Sequence, residues 1–253
     1  MNNAIATVLF SGGSDSTLCA AQTAEKFGKI ELITYKRASY TGLTRIEKSQ
    51  YYIASLKKVY GDKNIEQIII DYQDLFSHIF FYDFDRDMKK YGMHLSIFVC
   101  MACKLAMHTK TIIYNIKNNI KHTADGSFHG QDHSPEQMSD ILIQLKNFYS
   151  KYGVEFSYPV YFFPNKDDIQ KELFKRGIAL TEHFKHKKLS TTDSYIFHKN
   201  QPACYLGIIA GGYSKFIFGP LWGKKKREEM ALEYYNEKQK IAEIYLEKEL
   251  SRF

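Results

Sequence analysis

The 253-residue chain has little of several things, and each shortage narrows what it can be. With 4 Cys it cannot be a disulfide scaffold. With 5 Pro, no repeat period and no low-complexity tract, it has no sign of a linker between separately folded modules. No basic segment precedes the first apolar run, Ile5 to Phe10, which stops at a glycine-rich turn, so it does not read as a signal peptide. The most apolar late stretch, Tyr205 to Gly223, is broken by five glycines, a proline and Lys215, which makes it a poor membrane span. These shortages lead us to expect a cytoplasmic protein with reduced thiols and no membrane partner.

What is present is globular. Apolar residues make up 44% and charged residues 25% of the chain, which excludes wholesale disorder. Aromatics reach 15%, chiefly 19 Tyr and 18 Phe. The net charge of +7 favours an anionic partner such as a nucleotide, RNA or acyl phosphate. Counting from Lys224 to Phe253 gives eight Lys and Arg against seven Glu, a net of +1 there, so the other +6 lies in the body. We divide the chain at that point, into 1–222 and a C-terminal amphipathic helix in 223–253. In that helix Met230, Tyr234, Ile241 and Tyr245 recur at helical spacing, as in a packing helix with a charged outer face. A homodimer through it stays open.

Strand-like and helix-like segments alternate. The apolar runs Ala4 to Phe10, Ile30 to Tyr35, Ile65 to Ile70 and Lys121 to Ala124 read as strands. Val154 to Phe163 reads as another, punctuated by prolines. Asp15 to Phe27, ended by Gly28, Arg45 to Tyr60, ended by Gly61, and Met101 to Asn119 read as helices. Ser134-Pro135-Glu136-Gln137 reads as a capping box opening a helix to about Tyr152, and Asn165 as the cap of a helix through Arg176. The pattern predicts an α/β fold: a parallel sheet with helices on both faces, its ligand at the carboxyl ends of the strands.

The most informative stretch follows the first strand: Ser11-Gly12-Gly13-Ser14-Asp15-Ser16-Thr17. The glycines let backbone approach an anion, the hydroxyls can donate, and the next helix points its free N–H groups at the same place. It has neither the lysine of a Walker loop nor a G-x-G-x-x-G pattern. Ser-Gly-Gly-x-Asp-Ser after a first strand resembles the PP-loop of the ATP pyrophosphatase superfamily. The resemblance implies the Rossmann-like adenine nucleotide alpha hydrolase fold, with ATP held at Ser11 to Thr17. It also implies transfer of AMP with release of pyrophosphate, and Asp15 helping to hold the magnesium pyrophosphate. Lys36, just after the second strand, and Asp125 with Gly126, at the end of the fourth, are further candidates for nucleotide contact.

Cys100 and Cys103 open a helix as a Cys-x-x-Cys pair, and Cys204 lies 101 residues further on. Cys19, on an Ala-rich helical face, reads as a core residue. The residues alone leave several chemistries open for Cys100, Cys103 and Cys204. They could hold a 4Fe–4S cluster, bind zinc with His94 or His108, form a redox dithiol, or simply pack. Behind a PP-loop, this arrangement resembles the cluster-dependent sulfur transferases, including tRNA thiolation enzymes. It also resembles the sacrificial sulfur transferases of nickel-pincer cofactor synthesis, through Cys100 to Lys104, Ala124-Asp125-Gly126-Ser127, Gly153-Val154 to Pro159, and Pro202-Ala203-Cys204. That resemblance implies an adenylating enzyme that activates an acceptor, a small molecule or tRNA, for transfer of sulfur from a donor. Cys204 would be the reactive thiol, Asp15 and Cys103 would join it in catalysis, and Cys100, Cys103 and Cys204 would anchor the cluster. Phe128 to His133 stands in place of the family's Asn-x-Asp-Asp, and Leu206 in place of an expected Arg. An amide or nitrile synthetase of the same fold with structural zinc is the rival enzyme, and an ATP-sensing regulatory domain the rival without catalysis. His129, Asp132 and His133 read as a polar loop, and His183, Lys185, His186, Lys187 and Lys188 as a basic surface cluster.

Overall fold

The structure is a computed structural model and describes residues 2–37, 43–44, 49–92, 94, 96–129, 134–178, 203–204, 209, 212, 216 and 223–252. The basic cluster at 183–188, and Asp132 and His133, lie outside the described residues. The first part of the chain runs β1 (Asn2–Leu9), α1 (Ser14–Ala24), β2 (Phe27–Lys36), β3 (Leu43–Thr44), α2 (Ser49–Tyr60) and β4 (Ile65–Asp71). Then come α3 (Gln73–Phe81), α4 (Phe84–Tyr91), a π-helical turn (Ser96–Met101), α5 (Ala102–Lys117) and β5 (His122–Asp125). A 3-10 turn (Pro135–Gln137), α6 (Ser139–Lys151), β6 (Glu155–Ser157), α7 (Lys166–Lys175), β7 (Ala203–Cys204) and α8 (Lys224–Leu250) complete it.

Five strands form one sheet in the order β4-β2-β1-β5-β6, and every pairing in it is parallel. Strand periodicity divides the core into one cluster per face. Val8, Leu32, Ile30 and Ile65 point toward Leu18, Cys19 and Ala20 of α1, Tyr52 and Leu56 of α2, and Leu173 of α7. Leu9, Ile33 and Tyr35 point the other way, toward Leu75 of α3, Leu105 and Ile112 of α5, Leu145 of α6, and Tyr234 and Leu246 of α8. This is the doubly wound α/β arrangement expected from the sequence, with Cys19 a core residue. Strand order reverses at β1, because β2 and β4 lie on one side and β5 and β6 on the other. That makes the carboxyl ends of β1 and β5 the switch point, where Leu9 pairs with Asp125.

Several local expectations need correction. Helix α1 ends at Ala24, and Gly28 lies inside β2, because the apolar register of the strand extends back to Phe27. The Ser134 capping box does not form. Its side chain makes no cap bond, a 3-10 turn ends at extended Met138, and Gln137 Oε1 instead accepts from Phe128 N at 2.9 Å. The strand expected over Val154 to Phe163 covers only Glu155–Ser157, since the chain turns from Pro159 onward. Gly61 and Gly153 do end their helices, with φ of 98° and 69°. Asn165 does cap α7, its Oδ1 accepting from Asp168 N at 2.9 Å. The 97–117 segment is long and apolar enough to cross a membrane, yet 72% of its most apolar window is buried in the core.

Helix α8 packs on α5 and α3 as part of the same core. One buried ion pair fixes its angle: Lys238 Nζ lies 2.5 Å from Asp87 Oδ2, both side chains 1% exposed, and Lys238 also donates to the Tyr82 carbonyl. Arg86 and Lys90 reach Glu237 at the surface, where such pairs add little. Lys238→Met leaves buried Asp87 with only the half-exposed Arg86, 3.1 Å from its Oδ1, and should lower unfolding free energy by about 1–3 kcal/mol. Urea denaturation at neutral pH measures this; a loss below about 1 kcal/mol would contradict the assignment of the pair as the anchor.

Candidate active site

Phe10 closes the strand with its N–H on Ile33 O at 2.8 Å, and the chain then leaves the sheet. Gly12 turns it with φ of 74°, a conformation side chains resist. Gly13 stands at the N-cap of α1, and its carbonyl accepts from Thr17 N (3.0 Å), Thr17 Oγ1 (2.7 Å) and Ser16 Oγ (3.1 Å). Ser11 Oγ meets Ser16 Oγ at 3.1 Å. Ser14 Oγ donates to Asp15 Oδ1 at 3.0 Å. No side chain caps the first turn of α1, so its amides remain directed outward with the positive end of the helix dipole. Asp15 lies 3.7 Å from Lys166 Nζ, at the start of α7.

Across the switch point the β5 turn presses on this loop. A Cβ on Gly126 would fall 2.7 Å from both Ser16 N and Ser16 Cα, so only glycine admits the contact. Behind it lies a buried polar network. Lys104 Nζ donates to Asp125 Oδ2 (3.0 Å) and Ser127 Oγ (2.7 Å), and Ser127 Oγ donates to Asp125 Oδ1 (3.2 Å). His108 Nε2 lies 3.1 Å from Asp125 Oδ2, and its Nδ1 lies 3.0 Å from Tyr149 Oη. Burial alone would raise the Asp125 pKa, but Lys104 and then His108 outweigh it and hold the carboxyl well below the usual range. Burial pushes the His108 pKa down, so the ring is neutral. Its Nε2–H then faces the ionised carboxylate, and Nδ1 accepts from Tyr149.

The loop and the network form one end of a cavity of about 380 Å³, within the usual range of small-molecule pockets, roughly 300–1,000 Å³. The other end is lined by Cys100, Cys103, Cys204, Tyr72, Arg37 and Glu136. The π-helical turn and α5 supply the first two thiols, and the β3–β7 pair supplies the third, with Cys204 opposite Leu43. Burial raises the Cys100 thiol well above its ordinary pKa and pushes Cys103 to about 11, although Arg37 opposes the second shift. Tyr72 Oη lies 3.0 Å from Cys103 Sγ. The Arg37 guanidinium stacks 3.8 Å from the Phe76 ring centroid.

The structure thus brings Ser11, Gly13, Asp15, Ser16, Asp125, Gly126, Cys100, Cys103 and Cys204 to one cavity. Gly12 and Thr17 shape the loop, while Lys36 is exposed and lines no part of the cavity; Arg37, the next residue, does. Among the described residues no three His, Cys, Asp or Glu side chains are close enough to share a metal ion. The thiols therefore do not fit a cluster as placed. Zinc with His108 does not fit either, because both ring nitrogens face protein partners. His94 is buried but lines no part of the cavity. His129 stacks edge-on against Tyr161 at 5.9 Å. Sequence reading missed Arg37 and Tyr72, which lack a motif, and placed Glu136 only within a helix cap. For Lys104 a signal existed: four residues before His108, it shares a helix face with it.

No family model matches the sequence, and no curated protein is significantly similar to it. Solved structures of similar backbone include a 4-thiouridine synthetase in complex with RNA and ATP, 15% identical with a TM-score of 0.47. That match covers 83% of this chain and 53% of the synthetase, so the chain spans about half of its length. The U34-tRNA thiolase NcsA from Methanococcus maripaludis, with its 4Fe–4S cluster, is 14% identical over 96% of this chain and 74% of that one, with a TM-score of 0.46. NMN synthetase from Francisella tularensis is 11% identical, with 84% of each chain covered and a TM-score of 0.37.

Two substitutions test the geometry. Gly126→Ala must displace the α1 N-terminus, and should lower unfolding free energy in urea by about 1–3 kcal/mol; unchanged stability would contradict the contact. Lys104→Met leaves Asp125 buried without its cation, and should cost about 3–5 kcal/mol at pH 7. Asp125 has a depressed pKa in the folded protein, so its pairing stabilises above the unfolded carboxyl pKa, about 3.9, and is lost as pH falls below it. The gap between wild type and Lys104→Met in urea unfolding should therefore shrink toward pH 3. A gap independent of pH would contradict the charge assignment.

Proposed function

We propose that this protein is an ATP-dependent adenylating enzyme that activates a carbonyl oxygen on an acceptor and replaces it with sulfur. The observation that carries this reading is the single cavity shared by the phosphate loop and the three thiols. The uncapped amides of α1 and the Gly12-Gly13 turn take the β- and γ-phosphates of ATP. Magnesium bound with the pyrophosphate would supply charge neutralisation, and Asp15, at the loop rim, has the carboxylate to hold it. Lys166 beside Asp15 and Lys104 behind the β5 turn are cations at this end.

The acceptor oxygen attacks the α-phosphorus and pyrophosphate leaves. The loop amides stabilise the charge that develops on the leaving group, which is electrostatic catalysis by fixed dipoles. A persulfide loaded onto Cys204 by a sulfur donor attacks the activated carbon through its outer sulfur and AMP departs. A second cysteine thiolate then attacks Cys204 Sγ and breaks the S–S bond, which leaves the thiocarbonyl product and a disulfide that an external thiol reduces. The cysteines are the sulfur-handling groups, with Cys204 on the β3–β7 pair as the reactive thiol and Cys103, contacted by Tyr72, beside it. The raised pKa values of Cys100 and Cys103 keep them as thiols until a substrate or partner changes their surroundings.

Release of pyrophosphate from MgATP in the presence of acceptor tests the first half, and sulfur incorporation the second. Asp15→Asn should lower pyrophosphate release by roughly 100-fold or more. Cys204→Ala should retain pyrophosphate release and abolish sulfur transfer. Full sulfur transfer by Cys204→Ala would remove that residue from the mechanism.

A further inference from the structure

The 3-10 turn that replaces the expected capping box points a carboxyl into the cavity. Glu136 lines it together with the thiols, and its Oε2 is buried with no hydrogen-bond partner among the described residues. Buried carboxyl oxygens are rarely left unpaired, because each costs free energy that a partner must offset. The turn is held firmly for a short segment: Gln137 N bonds Ser134 O at 3.0 Å, Met138 N bonds Pro135 O at 3.2 Å, and Gln137 Oε1 takes the Phe128 amide. The carboxyl is therefore preorganised toward the space a substrate would fill. Burial raises its pKa, with a hydrogen bond from its own backbone N–H and then Lys104 opposing and Asp125 reinforcing the shift, and Glu136 in turn raises that of Cys100. A carboxylate of raised pKa is a stronger base than an exposed one.

We propose that Glu136 is the general base for the adenylation step, and that the acceptor is a neutral N–H-bearing carbonyl, an amide or lactam, rather than a carboxylate. This rests on the functional reading above. A neutral amide oxygen is a weak nucleophile until the neighbouring N–H proton is removed. The N–H bond breaks as its proton passes to Glu136 Oε2, and the electron pair shifts through the ring or amide to the carbonyl oxygen. That oxygen bonds to the α-phosphorus of ATP, the bond from phosphorus to the bridging oxygen breaks, and pyrophosphate leaves. A carboxylate acceptor needs no base, and it would meet the Glu136 carboxyl, whose Oε2 has no partner among the described residues. Like charges so placed disfavour it.

The test is pyrophosphate release from MgATP by the full chain with three probes: uridine 5′-monophosphate, an unmodified tRNA transcript, and nicotinate as a carboxylate. Calorimetry measures ATP affinity separately. We expect stimulation by one of the two lactam probes and none by nicotinate; free nucleotide against transcript tells whether the lactam is read alone or within RNA. Glu136→Gln should lower the stimulated rate roughly 100-fold or more, with ATP affinity within about twofold, and Glu136→Asp should restore part of the rate. Unchanged release in Glu136→Gln, preference for nicotinate, or no response to either lactam by protein that binds ATP would overturn the inference. Failure of the wild type to bind ATP would instead remove the functional reading beneath it.

Discussion

The register of β1 against β5 sets the rest of the site. With Leu9 opposite Asp125, both strands end at one level, and the turns that follow them must meet. The meeting is backbone on backbone, since Gly126 touches Ser16 where no side chain fits. One turn carries the uncapped amides that attract anions, and the other carries a carboxylate. A carboxylate and an anion drawn to those amides could not share that space unless the carboxylate were neutralised from behind. Lys104 does this, and His108 with Tyr149 fixes the orientation of the carboxylate. The buried network is thus the condition under which a phosphate loop and an aspartate can be neighbours.

Helix α5 links the two ends of the cavity. Its entry turn brings Cys100 and Cys103 to the wall, the next residue supplies Lys104, and the next turn supplies His108. A shift of α5 along its axis would move thiols and phosphate-end cation together. Helices α3 and α8 pack against it, and the Lys238–Asp87 pair holds α8 to α4, so the C-terminal helix supports the site without lining it.

Much of the fold was legible in the sequence because short apolar runs alternate with amphipathic segments, and Ser11 to Thr17 sits between the first strand and helix. The convergence of Cys100, Cys103 and Cys204 was legible as a resemblance, although not the absence of ligand spacing among them. No element is read from the sequence between β4 and the cysteines, where α3 is rich in apolar residues and α4 is short and charged. Ser134 to Gln137 read as a helix cap, yet a tertiary bond from Phe128 captured Gln137 and turned Glu136 inward. Arg37 and Tyr72 carry no motif; their place at the thiol end comes from strand register and helix packing.

The central claim is that nucleotide and thiols occupy one cavity. Alkylation of Cys100, Cys103 and Cys204, followed by mass spectrometry with and without a non-hydrolysable MgATP analogue, tests it most directly. The account predicts that the analogue slows modification of all three at least several-fold, while buried Cys19 stays unmodified in both conditions. Saturating analogue with unchanged reactivity at all three thiols would contradict it.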